Sequence, residues 1–290
     1  MTVSSLKKVS VSKRTRLLSS IRRACKRALG NLKRGSLLLR ERATALAYKE
    51  LRKLSYRDLE DELKDSRLRR LLGISKTIPR TTLWNSAKML ARETRKALLK
   101  ASLVCRNEGS ALVDATGASA NQYARWAADK VKKAKQYRKA HVAVGGHSRQ
   151  FIAFRVTRGT RHDSKEFRRL HEQARVNAAF SAVKGDGGYA SRNNAQLVED
   201  AGQTPFLKPA KNVTLKSKCR PAWRRMVKAF REHEVEWLAE YHERSQVESV
   251  FSAFKRVFGA VIRAKRWLRQ RVELELRAFV YNVYAAIQYR

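Results

Sequence analysis

Three acidic residues of this sequence occur in settings that suit a metal site. Asp114 follows the apolar run 111–113, Asp186 comes shortly after the run 181–184, and Glu248 lies in a segment with helical spacing. Hard divalent cations take oxygen ligands, so proteins hold them with Asp and Glu. Two such cations about 4 Å apart can activate an attacking oxygen and stabilise a leaving oxygen in phosphodiester transfer. The residue types therefore predict a site for metal-dependent phosphoryl transfer.

Taken one at a time, the same acids have ordinary explanations. An Asp at a strand end before glycine is common turn chemistry, and a Glu on a surface helix is usually solvated. Their joint occurrence on elements that could converge, in a very basic chain, favours the catalytic interpretation. The glycines around Asp186 would also let a phosphate group approach the backbone closely.

The segment around Glu248 is the most informative of the three. Tyr241, Arg244, Glu248 and Lys255 are spaced by 3, 4 and 7 residues, which predicts one shared helical face. An adjacent apolar stripe predicts the face that packs in the core: Val247, Val250, Phe251, Phe254 and Phe258. A solvated face in which Arg244 pairs with Glu248 would explain the polar line. A tyrosine and two cations around one acid also suit a metal ligand bordered by phosphate contacts.

The elements that would position these residues alternate between strands and helices. The pattern predicts strands over 111–114, 141–144, 151–156, 181–184 and 204–207, and helices over 165–174, 192–201, 242–258 and 268–288. Asp163 and Ser164 are expected to cap the first of these helices, and residues 208–234 begin as a basic irregular stretch. This order predicts an α/β fold of the ribonuclease-H-like kind, with a mixed sheet flanked by helices.

The N-terminal part predicts short helices after a basic arm. Residues 1–40 contain twelve Lys and Arg and no acid, and either a partly helical arm or a flexible phosphate-gathering tail would fit them. Helices are expected over 43–54, 56–64 (capping box Ser55 and Asp58), 67–72 (capped by Ser66, ended by Gly73) and 82–103.

This helical region resembles a helix-turn-helix whose last helix would present Lys88, Arg92 and Arg95 to DNA. An ordinary helical bundle gives the same pattern. The predicted domains are a basic arm at 1–40, an all-α DNA-binding region at 41–108 and the catalytic domain at 109–290.

The composition points to a polyanion partner. The 65 Lys and Arg against 25 Asp and Glu give a formal charge of +40, which nucleic acid would neutralise. An apolar content of 43% argues against a disordered basic protein, although a folded RNA binder of ribosomal type would fit the charge. Three distant cysteines without a C-x-x-C pair indicate neither a disulfide framework nor a zinc site. No apolar run approaches the roughly 20 residues of a membrane span.

Several segments together resemble one known family. The spacing Y-x2-R-x3-E-x6-K from Tyr241 to Lys255 is similar to the motif of a large group of DDE transposases of prokaryotic insertion sequences. The segments 113–117 and 185–191 resemble those around that family's first and second aspartates. Weaker likeness extends to the hairpin and helix start at 139–144 and 161–164, the closing helix at 273–282, and residues 54–59.

The resemblance implies a catalytic domain in which Asp114, Asp186 and Glu248 bind two Mg²⁺ ions, with Mn²⁺ as an expected substitute. It implies DNA contacts by Tyr241, Arg244 and Lys255. The expected reaction is cleavage at the element's terminal inverted repeats and joining of 3′-hydroxyls to double-stranded target DNA. A homodimer on DNA and a cytoplasmic, nucleoid-associated location in a prokaryote follow from the same resemblance.

Two alternatives to an active transposase stay open. One is a catalytically silent, domesticated transposase-derived DNA-binding protein, and the other is a different ribonuclease-H-like nuclease, such as a resolvase. The joint presence of the three acids with Tyr241, Arg244 and Lys255 argues against the first, and the helix motif argues against the second. His141 and His162 are interpreted as structural or substrate-adjacent, because the histidines show no ligand spacing. Trp126 and Tyr137 could stack on unpaired bases, although packing explains them as well.

Overall fold

The computed structural model describes residues 11–30, 35–120, 137–210, 212–215 and 220–288. The chain divides into two compact units. The first, here called the helical unit, comprises Met1–Leu103, Ser119–Gln136 and Ala253–Arg290. The second, here called the sheet unit, comprises Val104–Ala118 and Tyr137–Ser252.

The helical unit is built from helices that pack around a shared apolar core. Its N-terminal helices are α1 (Val11–Leu29), α2 (Gly35–Arg52), α3 (Tyr56–Glu62), α4 (Ser66–Leu72), α5 (Arg80–Met89) and α6 (Arg92–Ala101). The final helix, α12 (Trp267–Gln288), packs against α1, α2, α5 and α6. Part of the basic arm is therefore helical, and α1 buries the apolar positions that repeat at helical spacing: Leu17, Leu18, Ile21, Ala24 and Leu29.

Local sequence signals set several of these helix ends. Ser55 and Asp58 form the predicted capping box at the start of α3, each accepting a backbone hydrogen bond from the other at 3.1 Å. Gly73 ends α4 with φ +68°, a conformation that few residues other than glycine adopt. Asp65, and not the predicted Ser66, caps the start of α4.

The predicted helix over 82–103 is wrong as a single element, because α5 and α6 are separated at Leu90. Leu90 has ψ 84°, and the side chain of Arg95 donates a hydrogen bond to its carbonyl oxygen. That carbonyl is thus satisfied by a side chain, and the backbone turns before α6 begins. Neither glycine nor proline stands at the break, so no local signal predicted it.

The sheet unit contains a mixed five-stranded sheet with the order β3-β2-β1-β4-β5. β2 and β3 are antiparallel, whereas β1, β4 and β5 are parallel neighbours. The strands are β1 (Ser110–Ser119), β2 (Tyr137–Gly145), β3 (Phe151–Arg158), β4 (Ala182–Gly185) and β5 (Thr204–Leu207).

Helices cover this sheet and complete the core. α7 (Asp163–Asn177) packs on β2 and β3, and its Phe167 and Leu170 are fully buried. The remaining elements are α8 (Arg192–Glu199), α9 (Pro221–Glu232), α10 (Glu234–His242), a 3₁₀ turn (Glu243–Ser245) and α11 (Gln246–Phe258). A mixed sheet flanked by helices, together with an all-helical N-terminal region, confirms the predicted ribonuclease-H-like fold class.

Residues 208–234, which were predicted to begin as a basic irregular stretch, contain a helix that the sequence pattern did not predict. α9 begins with Pro221 at its first position, where the absent N–H costs nothing. It buries Ala222, Trp223, Met226 and Val227, which recur at helical spacing. Within the described residues, no helix combines the length and the apolar character that a membrane span requires.

Candidate active site

Two of the three predicted acids come together because their strands are parallel neighbours. β1 and β4 pair up to Val113 and Gly185, and the next residue after each of these is Asp114 or Asp186. Adjacent strands lie about 4.8 Å apart, so the two acids leave the paired region side by side. β1 continues to Ser119, so Asp114 lies within its strand and does not end it as predicted.

Asp186 begins a tight turn in which the next two residues are glycines. The backbone N–H of Gly188 donates to Asp186 Oδ1 at 3.1 Å, and the N–H of Tyr189 donates to the Asp186 carbonyl at 3.0 Å. A Cβ atom on Gly188 would lie 3.2 Å from Asp186 Oδ1 and 3.3 Å from Asp163 Oδ2. Glycine at this position therefore leaves room for two carboxylates.

Arg244 connects Asp114 with Glu248, the third predicted acid. Its Nη1 donates to Asp114 Oδ2 at 2.7 Å, and its Nη2 donates to Glu248 Oε1 at 3.2 Å. The side chains of Arg244 and Asp114 are 18% and 16% exposed, whereas Glu248 is 66% exposed. The sheltered, shorter bond to Asp114 is the stronger of the two, because solvent screens the bond to Glu248.

The electrostatics of the cluster follow from this arrangement. Burial raises the pKa of Asp114, and the carboxylates of Asp186 and Glu248 raise it further against the opposing effects of the Ala115 N–H and Arg244. Burial alone would lower the pKa of Arg244, but the neighbouring carboxylates, Asp114 foremost, raise it. The three acids therefore share one electrostatic environment with one guanidinium among them.

The donor set has the chemistry of a hard-cation site. All three side chains are carboxylates, which Mg²⁺ and Mn²⁺ prefer over nitrogen or sulfur ligands. Among the described side chains, no three potential ligands are already arranged around a point that could hold a metal. Arg244 occupies oxygens of Asp114 and Glu248 that a cation would need.

The four residues of the helical motif do not share one uninterrupted helix, which corrects the predicted helix over 242–258. Tyr241 is the last residue but one of α10, Arg244 lies in the 3₁₀ turn, and Glu248 and Lys255 lie on α11. Lys255 is half-exposed and belongs to the helical unit, whereas the other three belong to the sheet unit. The apolar stripe from Val247 to Phe258 is buried as predicted.

Tyr241 is mainly a packing residue in this structure. It is 7% exposed, and its ring stacks on Trp237 with centroids 5.3 Å apart. Lys208 and Arg244 lie over the ring at 5.6 and 5.9 Å from its centroid. The ring thus lies between a packed core and two cations next to the carboxylates.

A second cluster lies against Gly188. Lys139 Nζ lies 2.7 Å from the Asp163 carboxylate, and His141 Nδ1 lies 3.1 Å from it. His141 is fully buried, its Nε2 lies 2.8 Å from Thr157 Oγ1, and burial lowers its pKa to about 4. His141 is therefore neutral near pH 7, and its interpretation as structural or substrate-adjacent stays a prediction.

The expectation that Asp163 caps α7 is wrong. His162 is the capping residue, and its Nδ1 accepts a hydrogen bond from the Ser164 N–H at 3.3 Å. Asp163 is the first helical residue, and its carboxylate is used by Lys139 and His141. The sequence at a helix start predicts which residue could cap it. It does not show that Lys139 and His141 of β2 contact the Asp163 carboxylate instead.

Sequence reasoning missed Lys184 of β4. Its side chain is only 5% exposed, and its Nζ lies 2.8 Å from Glu240 and 2.7 Å from Glu243. Ser110 on β1 donates to the same Glu243 at 2.8 Å. These bonds connect β1 and β4 to the segment that carries Arg244. In the sequence, the only sign of this role was a lysine within an apolar strand.

The N-terminal DNA contacts that the sequence predicts lie in the helical unit and differ in exposure. Lys88 and Arg92 are exposed. Arg95 is 6% exposed and pairs with Glu275 as well as with the Leu90 carbonyl, so its guanidinium is used inside the unit.

Tyr137 is 42% exposed and donates to the Gly159 carbonyl at 2.8 Å. Trp126 lies outside the described residues.

Comparison with known proteins identifies one family. Residues 108–283 match a family model described as a transposase DDE domain. The matched segment contains the five strands, Asp114, Asp186, Glu248 and the whole Tyr241–Lys255 motif. None of the curated proteins matches the chain.

Proposed function

The chain belongs to the DDE transposase family, and from this premise we propose that it cleaves the ends of an insertion sequence and joins them to target DNA. Asp114, Asp186 and Glu248 are the proposed catalytic and metal-binding residues. The proposed substrates are the terminal inverted repeats of the element and double-stranded target DNA, on which two copies of the chain act together.

The single observation that carries the proposal is the convergence of the three acids. Asp114 and Asp186 follow paired residues of adjacent strands, and Arg244 joins Asp114 to Glu248. Bound at these carboxylates, two Mg²⁺ ions would activate the attacking oxygen and stabilise the leaving oxygen. The family uses divalent cations of this kind, and Mn²⁺ is the proposed substitute.

Other groups of the protein would contact the DNA backbone near the carboxylates. Gly187 and Gly188 present no side chain beside Asp186, so a sugar-phosphate backbone can approach this edge of the sheet. Arg244 neutralises the cluster in the DNA-free protein, and its planar guanidinium also suits a phosphate group. Lys255, Lys88 and Arg92 are the further proposed phosphate contacts.

The test compares wild type with Asp114→Asn and Glu248→Gln on DNA that carries the element's own ends, with Mg²⁺ and with EDTA. Glu236→Gln is the matched control, because Glu236 is an exposed acid on α10. We expect cleavage and strand transfer only for wild type and Glu236→Gln with metal. Both site variants should still bind the DNA, since neither change removes a positive charge.

The outcomes separate this proposal from its alternative. Cleavage by Glu248→Gln at the wild-type rate would remove Glu248 from the proposed site. Specific binding by all four proteins without any cleavage would instead identify a catalytically silent, transposase-derived DNA-binding protein.

A further inference from the structure

The helical unit contains a cavity of about 620 Å³. Residues of α2, α3, α5 and α12 line it, together with the connection after α2 and residues 263–266 before α12. Its apolar wall includes Leu46, Ala87, Val272 and Leu276. Small-molecule sites typically measure about 300–1,000 Å³, so this cavity has the size of a bound small molecule and not of a DNA duplex.

The acids of the cavity wall already have partners within the same unit. Glu50 pairs with Lys49 at 2.8 Å and with Arg277 at 3.2 Å. Glu273 accepts hydrogen bonds from the backbone N–H groups of Arg263 and Ala264 at 2.9 and 2.8 Å, and it also pairs with Arg277. The third acid of the wall, at position 58, belongs to the capping box of α3. These contacts leave no carboxylate of the wall without a partner.

Four cations of the wall have no such partner. Within the described residues, Lys53, Lys265, Arg266 and Arg269 form no ion pair with an acid, and Lys265 and Arg266 are exposed. Burial and the charges of Arg263 and Arg277 lower the pKa of Lys53. The cavity therefore combines an apolar wall with an excess of positive charge, and an anion would relieve that excess.

Among these cations, Arg269 has buried hydrogen-bond donors without a partner in the described residues. Its guanidinium carbon lies 3.2 Å from the centroid of the Trp84 ring, so the indole holds the guanidinium plane in position. In the described part of the chain, its Nε and Nη2 atoms are buried and have no hydrogen-bond acceptor. Buried donors nearly always have partners in folded proteins, and the described residues supply none to these two atoms of Arg269.

We infer that this cavity binds a single nucleotide, with the phosphate on Arg269, Arg266 and Lys53 and the base against the apolar wall. A phosphate supplies the acceptor oxygens that planar guanidinium donors match. A planar base fills the apolar part, which a bare phosphate would leave empty. The nucleotide is either free or the unpaired end of a DNA strand, because both present the same phosphate and base.

The test measures binding by calorimetry in EDTA, so that the carboxylate cluster takes no part and failure of the proposed transposase activity would not affect the result. The probes are deoxyadenosine monophosphate, deoxyadenosine, inorganic phosphate and a five-nucleotide single strand. Wild type is compared with Arg269→Gln and Arg266→Gln. Arg67→Gln is the control, since Arg67 is an exposed arginine on α4 outside the cavity and its change removes the same charge.

We expect the nucleotide to bind more tightly than either of its halves, and Arg269→Gln to weaken it about ten-fold or more while Arg67→Gln leaves it unchanged. Arg266→Gln should show a smaller loss in the same direction and is an exposed change that preserves the fold. Binding of the strand alone, with the same dependence on Arg269, would identify a strand end as the ligand. Equal loss in Arg67→Gln, or no binding of nucleotide or strand, would overturn the inference.

Discussion

Arg244 donates to carboxylate oxygens of Asp114 and Glu248 that a bound divalent cation would also use. A guanidinium and a metal ion cannot share the same lone pairs, so the two cations compete for the cluster. Phosphate groups of bound DNA offer Arg244 another set of acceptor oxygens. DNA binding would then free the carboxylates for metal.

Replacing Arg244 with Gln should therefore increase the affinity of the DNA-free protein for Mn²⁺ by about five- to ten-fold. The change removes a competing positive charge and leaves all three carboxylates in place. Titration with Mn²⁺ followed by electron paramagnetic resonance measures the affinity without any need for activity. Arg256→Gln controls for net charge, because Arg256 is an exposed arginine on α11. Unchanged or weaker Mn²⁺ binding in Arg244→Gln would mean that Arg244 supports the site and does not compete with the metal.

His141 makes a second prediction at this scale, because it is buried and neutral. Burial lowers its pKa from 6.5 to about 4, although the Asp163 carboxylate opposes the shift. Between these two values the unfolded chain binds a proton that the folded protein does not. The contribution of His141 to the free energy of unfolding is thus present above pH 6.5 and is lost as the pH falls toward 4.

The free energy of unfolding should accordingly decrease from about pH 6.5 downward, by at most about 1.4 kcal/mol per pH unit for this one group. Denaturant titrations at several pH values measure the slope, and His141→Gln should make it shallower. His171 is buried with a lowered pKa and adds a slope of the same sign, so some dependence should remain in the variant. An identical slope in His141→Gln and wild type would contradict the assignment to His141.

Among the elements, β4 positions the site through a buried charge. Lys184 pairs with Glu240, which precedes the 3₁₀ turn that carries Arg244, and with Glu243, the first residue of that turn. Removing one partner of a buried ion pair is strongly destabilising because the other charge stays unpaired. The exposure of Glu240 reduces this effect, since solvent screens its charge.

Lys184→Met should lower the free energy of unfolding by about 2 kcal/mol. Lys165→Met, at an exposed position of α7, should change it by less than about 0.5 kcal/mol. Chemical denaturation of both variants measures the difference. Equal stability of Lys184→Met and wild type would show that the two glutamates are sufficiently solvated without their lysine.

The elements also show how far local sequence predicts this fold. β5 was predicted over its observed bounds, and the α3 capping box and the α4 terminus at Gly73 followed from turn and cap chemistry. The breaks at Leu90 and at the 3₁₀ turn 243–245 were not predicted. At Leu90 the side chain of Arg95, five residues further on, satisfies the carbonyl, and neither residue type is a helix-breaking signal.

The same limit applies to the candidate site. Residue type and spacing singled out Asp114, Asp186, Glu248 and Arg244. The pairing of Arg244 with Asp114 joins positions 130 residues apart, and Lys184 reaches Glu240 across 56 residues. Such pairs depend on strand register and packing. The sequence therefore predicted which residues belong to the site but not which of them contact each other.

At the scale of the whole molecule, the formal charge of +40 dominates the physical behaviour of the chain. The folded core does not need this charge, and one-to-one pairing with the 25 acids leaves 40 of the 65 arginines and lysines without an acidic partner. A surface of this kind attracts any polyanion over a distance set by the ionic strength. Recognition of particular ends must therefore be separated from this general attraction.

The affinity for DNA without element ends should fall steeply between about 50 and about 200 mM salt, by at least about a thousand-fold if six or more phosphates are neutralised. Fluorescence anisotropy with a labelled duplex at several salt concentrations gives the slope of log affinity against log salt. That slope divided by about 0.9 counts the phosphates contacted. Asp114→Asn should show the same slope as wild type, because the change lies in the carboxylate cluster and removes no cation. A slope corresponding to fewer than about two phosphates would mean that the positive charge serves a purpose other than holding the DNA backbone.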